Sequence, residues 1–310
     1  MPKYFLPLLL LAAITTGAAE PPPLEVETDP DVLRKVGKLV KSTLHEDTAE
    51  REKGWKGLKD MGNLAVPGLV GLYRQSTTTP EMTRSILIAL EDSKDARAGP
   101  ALVEILASKD AGVRRDAARA IGDSNYKAAV PALEKLAGDA NEDEEVRLFA
   151  AAAGAKLGGE KSIAILQELQ KSSKTEIRSR ATFALGKAGG KQQIPAIEKG
   201  LSDSDSSVRE DAVEALRLIG GEEVLPGLVK ALDDEDHRVR GAAMDALRQV
   251  TKQKIENDPA AWREWWKKKQ GGDAKPEEKA KPEDGKKPLP EETKEKIKEM
   301  KQQKKQELVD

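Results

Sequence analysis

The sequence contains no cysteine and only two histidines among its 310 residues. Without cysteine the chain can form no disulfide bond, carry no lipid on a thiol and use no thiolate nucleophile. The two histidines, His45 and His237, lie in distant segments, so a nucleophile–histidine triad would need a fold that closes on itself. We therefore predict a protein that is not an enzyme, with no catalytic residue, no cofactor and no metal ligand.

Aromatic residues make up only 3% of the chain, whereas charged residues make up 34%. Few aromatic and many small or aliphatic side chains favour packed helices over a β-rich core. The formal net charge at pH 7 is −2, so there is no basic excess of the kind that holds nucleic acid. These features predict an all-helical protein that does not bind nucleic acid.

The N-terminus has the pattern of a secretory signal. Lys3 precedes an apolar run from Tyr4 to Ile14, and small residues follow as far as Ala19. The alternative is a membrane anchor, but about ten strongly apolar residues fall short of the roughly 20 that span a bilayer. We predict a signal peptide over residues 1–19, export to a bacterial periplasm or extracellular space, and no transmembrane segment after cleavage.

One phrase, V-R-x-x-A-x-x-A-L, recurs six times at spacings of 31, 33, 31, 31 and 31 residues. The copies begin at Met82, Val113, Val146, Ile177, Val208 and Val239. The second position is Arg114, Arg147, Arg178, Arg209 and Arg240, and the eighth is Ala89, Ala120, Ala153, Ala184, Ala215 and Ala246. Because the apolar positions follow a helical period, each phrase predicts an amphipathic helix with a buried, alanine-rich stripe.

A second helix is predicted after each phrase. Glycine ends the first helix at Gly158, Gly189 and Gly220, where a left-handed residue costs little. Proline then suits the first turn of the next helix, because no backbone donor is needed there. It stands at Pro67, Pro100, Pro131, Pro195 and Pro226, and Ala164 takes its place in one repeat. A degenerate copy from Glu50 to Pro67 brings the total to six helix pairs and a seventh first helix.

These residues closely resemble HEAT repeats, in particular the short phycobilisome-lyase type, over residues 50 to about 250. The resemblance implies an α-solenoid, an armadillo/HEAT-like superhelix whose first helices face outward and whose second helices line a concave surface. It also implies two functional classes, because such arrays serve as scaffolds and occasionally as enzymes. HEAT-like hydroxylases carry several His-Glu pairs that bind iron, whereas this chain has only His45-Glu46.

The ends of a repeat array need caps, because each repeat leaves an apolar face exposed. We predict a linker at 20–30, an N-terminal capping helix at 31–49, the solenoid with its C-terminal cap at 50–269, and a charged, disordered tail at 270–310. Asp258 and Pro259 start the last helix, where Trp262, Trp265 and Trp266 share one side. These indoles either cover the last repeat or bind a partner.

Aspartate stands three residues before the opening valine at Asp110, Asp143, Asp205 and Asp236. The preferred interpretation is a helix cap combined with an Asp-to-Arg ladder between repeats. The alternative is a calcium loop, because Asp203, Asp205, Ser207 and Glu214 have the spacing of EF-hand ligands. Against calcium, Val208 replaces the required glycine, and the predicted helix begins inside the loop.

The second helices carry a mixture of charges rather than a basic stripe or an aromatic ladder. Their predicted exposed residues are Glu104, Glu134, Lys135, Gln167, Glu168, Glu198, Lys199 and Lys230. We predict a protein-binding scaffold or adaptor whose unidentified protein partner contacts this surface, with Glu134, Lys135, Glu168, Lys199, Lys230 and the three tryptophans as candidate contacts. The alternatives are a lyase or metal-dependent hydroxylase, and a rigid spacer.

Overall fold

The computed structural model describes residues 29–75 and 78–271. In this part of the chain there are fifteen α-helices and no strand, which confirms the predicted all-α class. The predicted signal peptide and all but two residues of the linker lie outside the described residues, as does the charged tail after Gly271. The protein has two compact units, one ending at Trp262 and the other starting at Arg263.

The helices alternate between the two types that the repeat predicts. The first helices are α2 (Thr48–Met61), α4 (Pro80–Ser93), α6 (Ala111–Ser124), α8 (Glu144–Lys156), α10 (Thr175–Ala188), α12 (Ser206–Ile219) and α14 (His237–Thr251). The second helices are α3 (Ala65–Tyr73), α5 (Ala98–Ile105), α7 (Val130–Ala137), α9 (Glu160–Leu169), α11 (Ile194–Gly200) and α13 (Leu225–Lys230). The array begins with α1 (Pro30–Thr43), and the last helix is α15 (Pro259–Gln270).

The first helices start at side-chain caps, as predicted. The Asp110 carboxylate accepts a hydrogen bond from the Val113 amide at 2.8 Å, and Asp143, Asp205 and Asp236 cap α8, α12 and α14 in the same way. Each cap satisfies an amide that would otherwise lack a partner in the first helical turn. Helix α10 is the exception, because Lys174 occupies its cap position and offers no acceptor.

Successive first helices pack closely through small residues. A Cβ atom added to Gly186 in α10 would lie 2.5 Å from the Ala215 Cα atom in α12, so only glycine fits there. The alanines at the fifth position, such as Ala117 and Ala150, are fully buried. The alanine-rich stripe therefore sets how near neighbouring repeats approach.

The first helices end as the sequence predicts. Gly158, Gly189 and Gly220 have φ values of 95°, 74° and 67°, in the left-handed region. Asn125 takes the same region at the end of α6 with φ 56°. The chain then enters each second helix through a first turn that holds the proline where one is present.

The helices at the two ends of the repeats bury apolar side chains. Asp29 caps α1, and Val36 and Val40 on that helix are fully buried where α1 packs on α2 and α3. Asp258 accepts a hydrogen bond from the Ala260 amide at 2.8 Å at the start of α15. Within the described ranges, no helix is long and apolar enough to cross a membrane.

Candidate functional site

The arginine after the opening valine connects one repeat to the next. Nε and Nη2 of Arg178 donate to the two carboxylate oxygens of Asp203 at 2.8 and 2.9 Å, and Nη1 donates to the carbonyls of Ser172 and Ser173. Both side chains of the ion pair are 14% exposed. We call this arrangement an arginine clamp, because one guanidinium fixes both the loop before its own helix and the loop after the next second helix.

Two further junctions carry the same clamp. Arg114 binds Glu142, and Arg209 binds Asp234, each through two hydrogen bonds. The predicted Asp-to-Arg ladder therefore exists, but its carboxylates were assigned wrongly. The capping aspartates bind their own helix amides, and the clamp arginines bind an acid that stands one or two residues before the capping aspartate. Asp110 is an exception, because it also accepts a hydrogen bond from Arg84 of the preceding repeat at 3.0 Å. A recurring acid 25 residues after Arg178 and Arg209 was the sequence signal for it.

The clamps keep their carboxylates ionised. Hydrogen bonds from Arg178 hold the pKa of Asp203 below its ordinary value, and those from Arg114 do the same for Glu142. In each clamp the guanidinium and the carboxylate bind each other through two hydrogen bonds. We therefore assign the clamps to structure rather than to binding.

The carboxylates of the alternative calcium loop have other partners. Asp203 belongs to an arginine clamp, Asp205 accepts from the Ser207 amide and hydroxyl at 2.9 and 2.6 Å, and Glu214 binds Arg217. These contacts support the cap-and-clamp interpretation. Across the described residues, no three His, Cys, Asp or Glu side chains are grouped closely enough to hold a metal ion.

The histidines lie apart from each other and at the surface. His45 is exposed in the loop before α2, where its Nδ1 accepts from the Asp47 amide at 3.1 Å. His237 is the first residue of α14, and its side chain is 84% exposed. The single His45-Glu46 pair is therefore not part of a larger cluster in the described part of the chain.

The candidate contact residues of the second helices lie at the protein surface. Lys135, Glu168, Lys199 and Lys230 are exposed, and Glu134 is half-buried. The exposed acid on α9 is neutralised, because Glu168 accepts from Arg147 at 3.1 Å. We call the surface formed by the exposed side chains of α5, α7, α9, α11 and α13 the second-helix face.

A groove of about 320 Å³ opens on this face between α9 and α11. It contains both carboxamide and charged groups, and it includes two of the predicted contact residues, Glu168 and Lys199. Polar and charged side chains in its lining include Gln167, Glu168, Gln170, Lys171, Lys199 and Asp203. The sequence did not single out Gln170 or Lys171, because neither belongs to the repeating phrase.

The three tryptophans do not share one environment. Trp262 is fully buried, so it is not available as a partner contact, and that prediction is wrong for this residue. Trp265 and Trp266 are half-buried, and their ring centroids are 6.2 Å apart. Only these two indoles remain as candidate contacts.

The fold is an all-α solenoid, and the sequence of its repeats shows which class of repeat it contains. Residues 99–176 and 164–248 match the family model for HEAT repeats, so this part of the chain consists of HEAT repeats. HEAT repeats commonly mediate protein interactions. No curated protein shows significant sequence similarity to the chain.

Solved structures of several kinds are similar to this protein. Human deoxyhypusine hydroxylase in complex with glycerol has 17% identity and a TM-score of 0.33, covering 72% of this chain and 98% of its own. The complex of CpcE and CpcF of phycocyanin lyase from Nostoc sp. PCC7120 has 18% identity and a TM-score of 0.43, covering 82% and 98%. An engineered protein has 22% identity and a TM-score of 0.44, covering 70% and 68%.

Proposed function

We propose that this chain is an exported, non-catalytic binding module that receives a protein partner on its second-helix face. Stacked repeats present an extended surface built from one short helix per repeat, which suits contact with a long segment of another protein. The observation that carries the proposal is the groove between α9 and α11, which lies on this face and joins side chains from two consecutive repeats.

The charges on the second-helix face support the same function. Lys135 and Lys199 are exposed and make no ion pair with any described residue, although the clamps nearby are fully paired. These two positive charges on the second-helix face are therefore not balanced by an acid among the described residues. A partner that supplies the opposite charge would gain from them, and electrostatic complementarity of this kind chiefly sets specificity and association rate.

A site-directed photo-cross-linking experiment tests the proposed face. A photoreactive residue replaces Lys135 or Lys199 in one set of variants and Lys38 or Lys254 in a matched set, because these two exposed lysines lie outside the second helices. After irradiation in the cells that make the protein, we expect one discrete adduct from the first set and none from the second. Equal labelling from both sets, or no adduct from Lys135 and Lys199, would contradict the proposal.

Export is part of the proposal and has its own test. The basic residue Lys3, the apolar run after it and the small residues before Glu20 support a cleaved signal. N-terminal sequencing of the chain recovered from the periplasm or medium is expected to start at Glu20. Recovery of an uncleaved chain from the cytoplasm would overturn this part of the proposal. Stoichiometric iron in the purified protein would instead favour the hydroxylase alternative.

A further inference from the structure

The second helices meet in the same register at two junctions between repeats, where hydrogen bonds join them. The seventh residue after the proline position of one repeat lies beside the fourth residue after it in the next repeat. At the first of these junctions, Arg74 Nε donates to the Glu104 carboxylate at 3.0 Å. At the last, Lys230 Nζ donates to Ser202 Oγ at 3.4 Å. We extend this register to the junction between α9 and α11.

At the junction between α9 and α11 these two positions are Lys171 and Lys199. Both line the groove, both are exposed, and neither forms an ion pair with a described residue. Where Arg74 and Glu104 attract each other, this junction therefore has two like charges facing one opening. Like charges at neighbouring positions repel each other, and an anion between them would remove the repulsion.

The two acids of the groove do not compensate these lysines. Glu168 accepts from Arg147 at 3.1 Å, and Asp203 is held by two hydrogen bonds from Arg178. Glu198, beside Lys199 in the sequence, is directed toward α13, since a Cβ on Gly227 would lie 2.9 Å from its Oε1 atom. The lysines thus carry the uncompensated charge of the opening.

The wall of the groove is fixed by the carboxamide of Gln170. Its Nε2 atom donates to Thr182 Oγ1 at 2.9 Å and to the Ala196 carbonyl at 3.2 Å, which joins the end of α9 to α10 and α11. Because the Gln170 side chain bonds α10 and α11, it holds the end of α9 at a fixed distance from α11. The backbones that carry Lys171 and Lys199 are therefore held in place relative to each other. The opening is therefore formed before a ligand arrives, which reduces the ordering cost of binding.

We infer that this groove binds a carboxylate side chain of an acidic, extended segment of the partner protein, between Lys171 and Lys199. The inference rests on the proposed function and names the chemistry of the partner. A second carboxylate of the segment binds Lys230, which lies at the next junction. Neighbouring helices are about 10 Å apart, and a chain in the extended polyproline II conformation has three residues per turn and rises about 3.1 Å per residue, so two acids three residues apart reach both sites from one side of the segment.

Peptide binding tests the inference with the full chain. The probe is a fluorescein-labelled, C-terminally amidated peptide of four Glu-Ser-Gly units, and its control has Gln in place of each Glu. Fluorescence anisotropy at low ionic strength is expected to show binding of the Glu peptide and not of the Gln peptide. The variant Lys171→Gln/Lys199→Gln should weaken binding about three- to tenfold, as expected for two exposed charge pairs. The matched variant Lys38→Gln/Lys254→Gln should bind as the wild type does.

Several results would overturn the inference. These are no binding of the Glu peptide to the wild-type chain, an equal loss in the two double variants, and displacement of the peptide by inorganic phosphate at an equal or lower concentration. Circular dichroism melting of each variant checks that the fold is retained, which we expect because none of the four lysine side chains bonds to a described residue. Cross-linking of a partner at Lys135 or Lys199 without peptide binding would leave the proposed function intact and refute the acidic segment alone.

Discussion

Arg209 and Asp234 join two consecutive repeats through an ion pair in which both side chains are only 8% exposed. Nε and Nη2 of Arg209 donate to the two carboxylate oxygens at 2.8 and 2.9 Å, while Nη1 donates to the carbonyls of Asp203 and Ser204. The arginine thus bonds the loops at both ends of one repeat. Removing either partner would leave the other buried without the opposite charge that it faces in this pair.

We expect Asp234→Ala to lower the free energy of unfolding by about 2–3 kcal/mol, because the buried Arg209 guanidinium then keeps only the exposed Glu235 carboxylate, at 3.4 Å, as a counter-charge. Urea unfolding followed by circular dichroism measures the change. Arg240→Ala is the matched control, because this arginine belongs to the last repeat and, among the described residues, bonds only the carbonyls of Asp234 and Glu235. A smaller loss for Asp234→Ala than for Arg240→Ala would contradict the role of the clamp.

Acid should destabilise the fold in part by protonating the carboxylates of the clamps. The pKa of Asp203 lies below its ordinary value of 3.8 and that of Glu142 below 4.5, in both cases chiefly because of the arginine hydrogen bonds. A depressed carboxylate pKa stabilises the fold above the unfolded-state value, and this contribution is lost as pH falls through the folded-state value. We expect the urea midpoint to be constant above about pH 5 and to fall below it.

The variant Arg178→Met isolates one clamp in the same pH series. Without the guanidinium, the pKa of Asp203 loses the chief cause of its depression, so its folded-state and unfolded-state values approach each other. The variant should be less stable at pH 7 and should lose less stability than the wild type between pH 5 and 3. Parallel pH profiles for the two proteins would show that the pair makes no such contribution.

The missing cap of α10 offers a change that should stabilise the protein. Lys174 gives no side-chain acceptor at the position where Asp110 caps α6. Lys174→Ser should raise the free energy of unfolding by about 0.5–1 kcal/mol, and Asp110→Ala should lower it by about 1 kcal/mol. Thermal unfolding of the two variants measures both effects, and a decrease for Lys174→Ser would refute the capping argument.

Trp262 and its neighbours on α15 should differ in their effect on stability. Trp262 is fully buried, so Trp262→Ala should cost about 3–5 kcal/mol through lost burial and the cavity that remains. Trp265→Ala should cost less, because this indole is half-buried. Differential scanning calorimetry measures the melting temperature of each variant. An equal decrease for the two variants would contradict the expectation that the more deeply buried indole contributes more stability.

The lysine junction should respond to a charge reversal. Lys199→Glu places a carboxylate opposite Lys171, as Glu104 lies opposite Arg74. The free energy of unfolding should rise by about 0.2–1 kcal/mol, as for exposed ion pairs, and binding of the acidic peptide should be lost. Lys254→Glu makes the same change in net charge, but it should neither raise the free energy of unfolding nor abolish binding of the peptide. A loss of stability in Lys199→Glu would mean that the two lysines are not neighbours.

The repeating phrase predicted the parts of the fold that depend on local chemistry. The alanine stripe, the capping aspartates and the terminal glycines each act within one or two helical turns, so their positions in the sequence were sufficient. The partner of each clamp could not be derived in this way. Asp203 and Asp205 are both acidic and two residues apart, and only the path of the loop decides which one meets Arg178.

The candidate site was predictable only in part. The exposed positions of the second helices follow from the proline register, which is why Glu168 and Lys199 were identified. Lys171 was missed because it lies beyond the end of α9, and its significance arises from the next repeat. Trp262 was misassigned because a helical spacing places three indoles on one side without showing how deeply each is buried.

Lysine acylation footprinting of the chain in its native cells, compared with the purified protein, tests most directly that a partner covers the second-helix face. Mass spectrometry would report the reactivity of each exposed lysine. The account predicts that Lys135, Lys199 and Lys230 are protected in cells while Lys38 and Lys254 react equally in both samples. Equal reactivity of the first three in both samples, or protection confined to Lys38 and Lys254, would contradict it.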